Sequence, residues 1–159
     1  MKSSVRLSRP AANPSDAPLN CTCGRLRKLT RRMTSFYEQH LRQTGLKLSQ
    51  YSVLTNISDQ QQSLVQLAAR LEMDRTTLTR SLKPLMQSGW VTEVPSGDAR
   101  ARMLVLTPEG QIFRQKVQER WADAQLALEA RLGRDVVADL NTHLEQILAQ
   151  LKPVMAANN

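Results

Sequence analysis

The run LVQLAARLEMDRTTLTRSLKPLMQSGW, residues 64–90, holds the side chains best suited to reading a polyanion. Its second half carries Arg75, Thr76, Thr77, Thr79, Arg80 and Lys83 among apolar residues at helical spacing, with no acid after Asp74. A guanidinium matches the two acceptors of guanine, and a threonine brings a hydroxyl for several bases and a methyl for thymine. The competing reading is a solvated helix face, although threonine is a poor choice for one unless something packs there. A second set follows in GDARARMLVLT, where Asp98, Arg100 and Arg102 lie at or beside a hairpin tip. Alternate residues of a strand share a side, so an arginine held by Asp98 would project into a minor groove. The competing reading there is an ordinary charged tip.

Two further sets lie upstream. Cys21 and Cys23 stand at the start of a helical run beside Arg25, Arg27 and Lys28. A helix N-terminus and nearby cations favour a thiolate, which is the form that reacts with oxidants. Cys-x-Cys closes only a tight, strained ring within one chain, so a bridge to a partner subunit or a sulfenic acid suits it better; two unreactive thiols are the alternative. Met33, Phe36, Tyr37, His40 and Tyr51 form an aromatic group at helical spacing. Such residues are commonly core, but the tips of Tyr37, His40 and Tyr51 need polar partners when buried. The basic run Arg25, Arg27, Lys28, Arg31, Arg32 reads as a solvated face, with partial cover of DNA phosphates or attraction of an anionic effector as a second role. The two cysteines with His40 and His143 have no metal-ligand spacing, and no cofactor is expected. Nucleophile–base pairs, phosphate-cradling glycine loops and paired carboxylates in apolar surroundings are all missing, so an enzyme is not expected. A helical protein-interaction adaptor without DNA binding is the competing class.

The elements that would carry these residues follow from periodicity. The first helix runs from about Leu26 to Leu41 and ends at Gly45. Ser49 is expected to cap a short second helix over 50–57. Ser63 with Gln66 forms a capping box for a third helix, carrying Leu64, Leu67, Ala68 and Leu71. Asp74 caps the fourth, whose buried stripe is Leu78, Leu82, Leu85 and Met86 and which ends at Gly89. WVTEV and MLVL read as a hairpin around PSGD. Thr107 caps a fifth helix with Pro108 at its first position, and Ile112, Val117, Trp121, Leu128 and Leu132 along it. A sixth covers 135–152, with Val136, Leu140, Leu144, Ile147 and Leu151 periodic.

Composition agrees with a folded, basic chain. Its 159 residues carry a formal charge of +8, which favours a polyanionic partner or simply solubility. The excess is concentrated in residues 1–45, which hold nine basic and two acidic side chains. No apolar run approaches the length of a membrane span, and MKSSVRLSRPAANPSDAPLN lacks the apolar core of an export signal. The expected compartment is therefore the cytoplasm, with reduced thiols.

Helix, short turn, helix and hairpin make a winged helix-turn-helix, whose second helix enters a major groove. LxMDRTTLTRSLKPLxxxGW followed by DARARMLVLTPEG resembles the MarR family of bacterial transcription regulators. Asp98, Arg100, Leu106 and Thr107 match the family's wing pattern, LKLSQYSVLTNI is similar to its second helix, and the likeness covers Arg25 to Leu151. The resemblance implies a mainly α fold with a small β-hairpin wing and a helical dimerisation domain. The Pro-, Ser-, Ala- and Asn-rich stretch 1–20 reads by composition as a flexible arm, while the resemblance implies a dimerisation helix over 21–46, the DNA-binding module over 47–107, and dimerisation helices over 108–159. The segment between Val94 and Arg100 is short for the family, so the wing is expected to reach less far. By the same resemblance the protein is a homodimeric repressor on double-stranded DNA with a pseudo-palindromic operator. Ser63, Arg75, Thr76, Thr77, Thr79, Arg80, Lys83, Asp98, Arg100 and Arg102 would contact DNA, and Asp98 would hold Arg100. A small aromatic effector would release it by binding near Met33, Phe36, Tyr37, His40 and Tyr51. An oxidant acting through Cys21 and Cys23 is the alternative trigger.

Overall fold

The first helix, α1, runs Thr22–Leu41 and tightens into a single 3-10 turn, Arg42–Thr44. Gly45 ends it in left-handed backbone, φ 74°, with its N–H on the Arg42 carbonyl at 3.2 Å. The computed structural model describes residues 21–96 and 102–151. Two compact units divide the chain, residues 1–35 and 36–159. In the first, Cys21, Cys23 and the cations Arg25, Arg27, Lys28, Arg31 and Arg32 are all exposed.

The second unit holds the remaining elements. Helix α2 spans Leu48–Asn56. Its cap is Lys47, two residues before the expected Ser49, because other oxygens take the first free amides. Gln50 Oε1 accepts from the Lys47 N–H at 2.8 Å, and Glu38 Oε1 accepts from the Leu48 N–H at 3.2 Å. Helix α3, Leu64–Leu71, opens with the expected box: Gln66 N–H donates to Ser63 Oγ at 3.1 Å, and Ser63 N–H to Gln66 Oε1 at 2.7 Å. Helix α4, Arg75–Gln87, is capped by Asp74; α5, Pro108–Leu132, by Thr107; and α6, Arg134–Gln150, follows from Gly133.

Three antiparallel strands, not two, form the sheet: β1 Gln62–Ser63, β2 Val91–Pro95 and β3 Arg102–Leu106, in the order β1-β3-β2. Val91 pairs with Leu106 and Pro95 with Arg102, while Gln62 pairs with Leu104 on the other edge. Strand β1 escaped the sequence reading because Gln-Ser carries no β-former; the free edge of β3 makes it a strand. Trp90 precedes β2 and stacks on Phe113 at 3.7 Å.

Leu41, Val53, Leu54, Leu67, Leu78, Leu85, Val91, Leu104 and Val117 are fully buried in one core. The expected stripes hold only in part. Met86, Leu132, Val136 and Ile147 are exposed, Ile112 is 70% exposed and Leu151 67%. Ser81, Ala124 and Val137 are buried instead. Periodicity finds an apolar face but not what covers it. Among the described residues no helix is long and apolar enough to cross a membrane.

Candidate nucleic-acid interface

Helix α4 is fixed from both ends and from beneath. Thr77 N–H donates to Asp74 Oδ1 at 2.8 Å and the Thr77 hydroxyl to Asp74 Oδ2 at 2.7 Å. These bonds, led by the hydroxyl, hold the Asp74 carboxyl below its ordinary range. At the far end Gly89 takes φ 73°, and the Trp90 N–H reaches the Leu85 carbonyl at 3.1 Å. Leu78, Ser81, Leu82 and Leu85 are buried. Pro84 lies inside the helix and offers no N–H to the Arg80 carbonyl.

The other face carries the expected readers: Arg75, Thr76, Thr77, Thr79, Arg80 and Lys83 are all exposed. They are not equivalent. Thr77 donates its hydroxyl proton to the cap and Thr79 donates its own to the Arg75 carbonyl at 2.7 Å. Both therefore present a methyl and an acceptor oxygen, while the Thr76 hydroxyl donates to none of the described residues. This internal use of hydroxyls explains how a threonine-rich helix is tolerated. Ser63 is committed as acceptor to the Gln66 N–H at the start of α3. Arg102 is the first residue of β3, paired with Pro95. Asp98 and Arg100 lie outside the described residues.

The end of α4 is joined to the start of α5. The Thr107 hydroxyl donates to the Gly89 carbonyl at 2.7 Å and accepts from the Gly110 N–H at 3.0 Å; the Thr107 N–H donates to the Trp90 carbonyl at 3.1 Å. Gly110 lies so close beneath that a Cβ there would stand 1.9 Å from the Trp90 carbonyl oxygen. Arg114, one turn on, donates from Nη1 to the Ile57 carbonyl at 3.1 Å and from Nη2 to the Asp59 carboxylate. Apart from the Thr107 cap on Gly110, these contacts were not read from sequence, since each joins residues distant in the chain.

Phe36, Tyr37, His40 and Tyr51 do come together, around a residue the sequence reading had assigned only to a helical stripe. The Trp121 ring lies between Tyr37, at 4.1 Å and 15°, and Tyr51, at 4.3 Å and 11°. Phe36 meets Tyr37 edge-on at 5.7 Å and His40 at 4.8 Å. The Tyr37 hydroxyl donates to Gln125 Oε1 at 2.8 Å, and His40 Nδ1 lies 3.0 Å from the Phe36 carbonyl. Burial, with the Tyr37 hydroxyl as a lesser cause, pushes the Tyr51 pKa up to about 12; burial, then Glu129, raises that of Tyr37. Trp121 and Gln125 are four apart on α5, a spacing that could have added both to the group. Met33 belongs to the other unit. Cys21 and Cys23 are free thiols, and the Cys21 carbonyl accepts the Arg25 N–H at 3.1 Å.

Known proteins share this architecture. Residues 44–102 match the model of the MarR family. The M. tuberculosis transcriptional regulator MOSR, solved in complex with DNA, is 32% identical, with 81% of this chain and 99% of that one covered and a TM-score of 0.63. A mutant of E. coli MarR complexed with operator DNA is 26% identical over 86% of this chain and 99% of that one, with a TM-score of 0.72. The repressor CouR, bound to a 23-mer duplex, shares the fold at 21% identity and a TM-score of 0.77, with 86% of this chain and 98% of that one covered. A search of curated protein sequences returned no match. A capped helix with an exposed cationic face, a three-stranded wing sheet and these relatives lead to one assignment: the chain belongs to the MarR family of DNA-binding transcription regulators.

Proposed function

We propose that this regulator is a repressor that binds a pseudo-palindromic operator as a homodimer, with α4 of each protomer in a major groove. The observation that carries this reading is the exposed, acid-free face of a helix held by a cap, a left-handed glycine and a buried stripe. The side chains of Arg75, Arg80 and Lys83 make no hydrogen bond or ion pair with the described residues, so their donors are available to bases and phosphates. Ser63 would meet a phosphate at the start of α3, and Arg100, oriented by Asp98 and flanked by Arg102, would enter the neighbouring minor groove. A two-fold axis would set half-sites about 10 bp apart, centre to centre. The exposed apolar residues Val136, Ile147 and Leu148 of α6, with Leu151 just beyond it, support a dimer surface.

A small aromatic effector would act near Phe36, Tyr37, His40 and Tyr51, where flat rings and three polar tips would recognise it. The exposure of Cys21 and Cys23 supports a second trigger, oxidation of one or both thiols.

One assay separates these readings: fluorescence anisotropy on a duplex selected by the protein from a random-sequence library. Binding should weaken with salt by roughly one log–log unit per phosphate contacted. Arg80→Ala should cost about 1–3 kcal/mol on the selected duplex and blur preference at one base pair. An equal loss on random duplex would assign Arg80 to the backbone and count against base reading. Benzoate should release wild type and the Cys21→Ser, Cys23→Ser variant alike; release by peroxide of wild type only would favour the thiols.

A further inference from the structure

We infer that Arg114 is a positioning residue for DNA reading, acting from α5 on the turn that leads into the helix-turn-helix. This rests on the reading of α4 as the base-reading helix. The Arg114 side chain is 18% exposed, and its fork spans the Ile57 carbonyl and the Asp59 carboxylate. Ile57 closes α2, where unpaired carbonyls carry partial negative charge. The adjacent Asn56 carbonyl accepts from Arg70 Nη1 of α3 at 3.1 Å and from Gln62 Nε2 of β1 at 3.4 Å. Among the described residues three side chains converge on the end of α2, and of these Arg114 alone comes from outside the segment running from α2 to α4.

The opposite end of that segment is also held by α5, through Thr107 on Gly89 and Gly110 against Trp90. The first two turns of α5 thus grip the helix pair at its entrance and its exit. The exit grip sets the Gly110 backbone hard against the Trp90 backbone, with the Thr107 hydroxyl on the Gly89 carbonyl, and leaves no slack. The entrance grip is one side chain, and a planar fork that bridges a carbonyl and a carboxylate is not replaced by a single ammonium. With its donors directed at the turn, Arg114 acts on DNA through the setting of α3 and α4.

The test compares wild type with Arg114→Gln, Arg114→Lys, Asp59→Asn and the Arg114→Gln, Asp59→Asn double variant. Each is measured on the library-selected duplex and on random duplex, at several salt concentrations and at a temperature where circular dichroism shows every variant folded. Arg114→Gln should lose about tenfold on the selected duplex, with little change on random duplex and the same salt slope. Arg114→Lys should recover part of the loss. The double variant should be no worse than Arg114→Gln, because the two residues share one interaction. Equal losses on both duplexes, or a lowered melting temperature with an unchanged preference, would overturn the inference. A wild type that selects no sequence would instead overturn the reading of α4, a result distinct from either.

Discussion

At the scale of single residues, the site is made by hydrogen bonds that residue type alone does not announce. Thr77 and Thr79 have the same side chain and neighbouring positions, yet one closes the cap on Asp74 and the other bonds its own helix at Arg75. Sequence told that this face was cationic and hydroxyl-bearing; it could not tell which hydroxyls were spent. The same holds for Tyr51, whose phenol is shielded by Trp121. A pKa raised from 10.0 to about 12 means the unfolded chain ionises first as pH rises. The stabilisation is complete below about pH 10 and is lost through the folded value, so thermal stability should fall between about pH 10 and 12. Melting followed by circular dichroism, with phenolate absorbance read in parallel, checks this; Tyr51→Phe should flatten much of that fall. An unchanged slope in Tyr51→Phe would assign the alkaline loss to other groups.

At the scale of elements, caps were the legible part. Ser63 with Gln66, Asp74, Thr107 with Pro108, and Gly89 all stand where their chemistry requires, because a cap is a local transaction between a side chain and amides two or three residues away. Helix α2 was misplaced since one of its first amides is satisfied by Glu38, ten residues upstream. Strand β1 was missed since its partner, β3, begins forty residues later. Inside a helix such as α5, alanine is usually better than a glycine such as Gly110 by about 0.5–1 kcal/mol. The structure reverses the sign, because a Cβ would collide with the Trp90 carbonyl. Gly110→Ala should therefore destabilise by roughly 1–3 kcal/mol in urea unfolding, as overpacking does. A gain in stability would mean that α5 and the α4–β2 corner separate freely.

At the scale of the whole molecule, apolar side chains left in solvent are the informative feature. Ile112, Leu126, Leu132, Ile147, Leu148 and Leu151 are exposed on α5 and just beyond α6 as well as along it, and a lone chain gains nothing from them. If they form the proposed two-fold contact, Ile147→Glu with Leu151→Glu should convert a dimer into monomer. Light scattering after size exclusion would detect the change, and operator affinity should fall as the second reading helix is lost. A dimer of undiminished stability in that variant would exclude the α6 face from the contact.

The sequence by itself determined the helices with their local caps, the cationic face of α4, and the likeness to a family of winged helix-turn-helix regulators. These depend on residues within a few positions of one another, or on a pattern of spacing, and the chain's order is enough to express them. Only the tertiary structure decided that Trp121 lies between two tyrosines, that β1 completes the sheet, that the expected stripes on α5 and α6 are partly bare, and that Arg114 and Gly110 hold the two ends of the reading pair. Each of those is a meeting of groups far apart in the chain, and which of many chemically suitable partners meets which is set by packing the whole core at once.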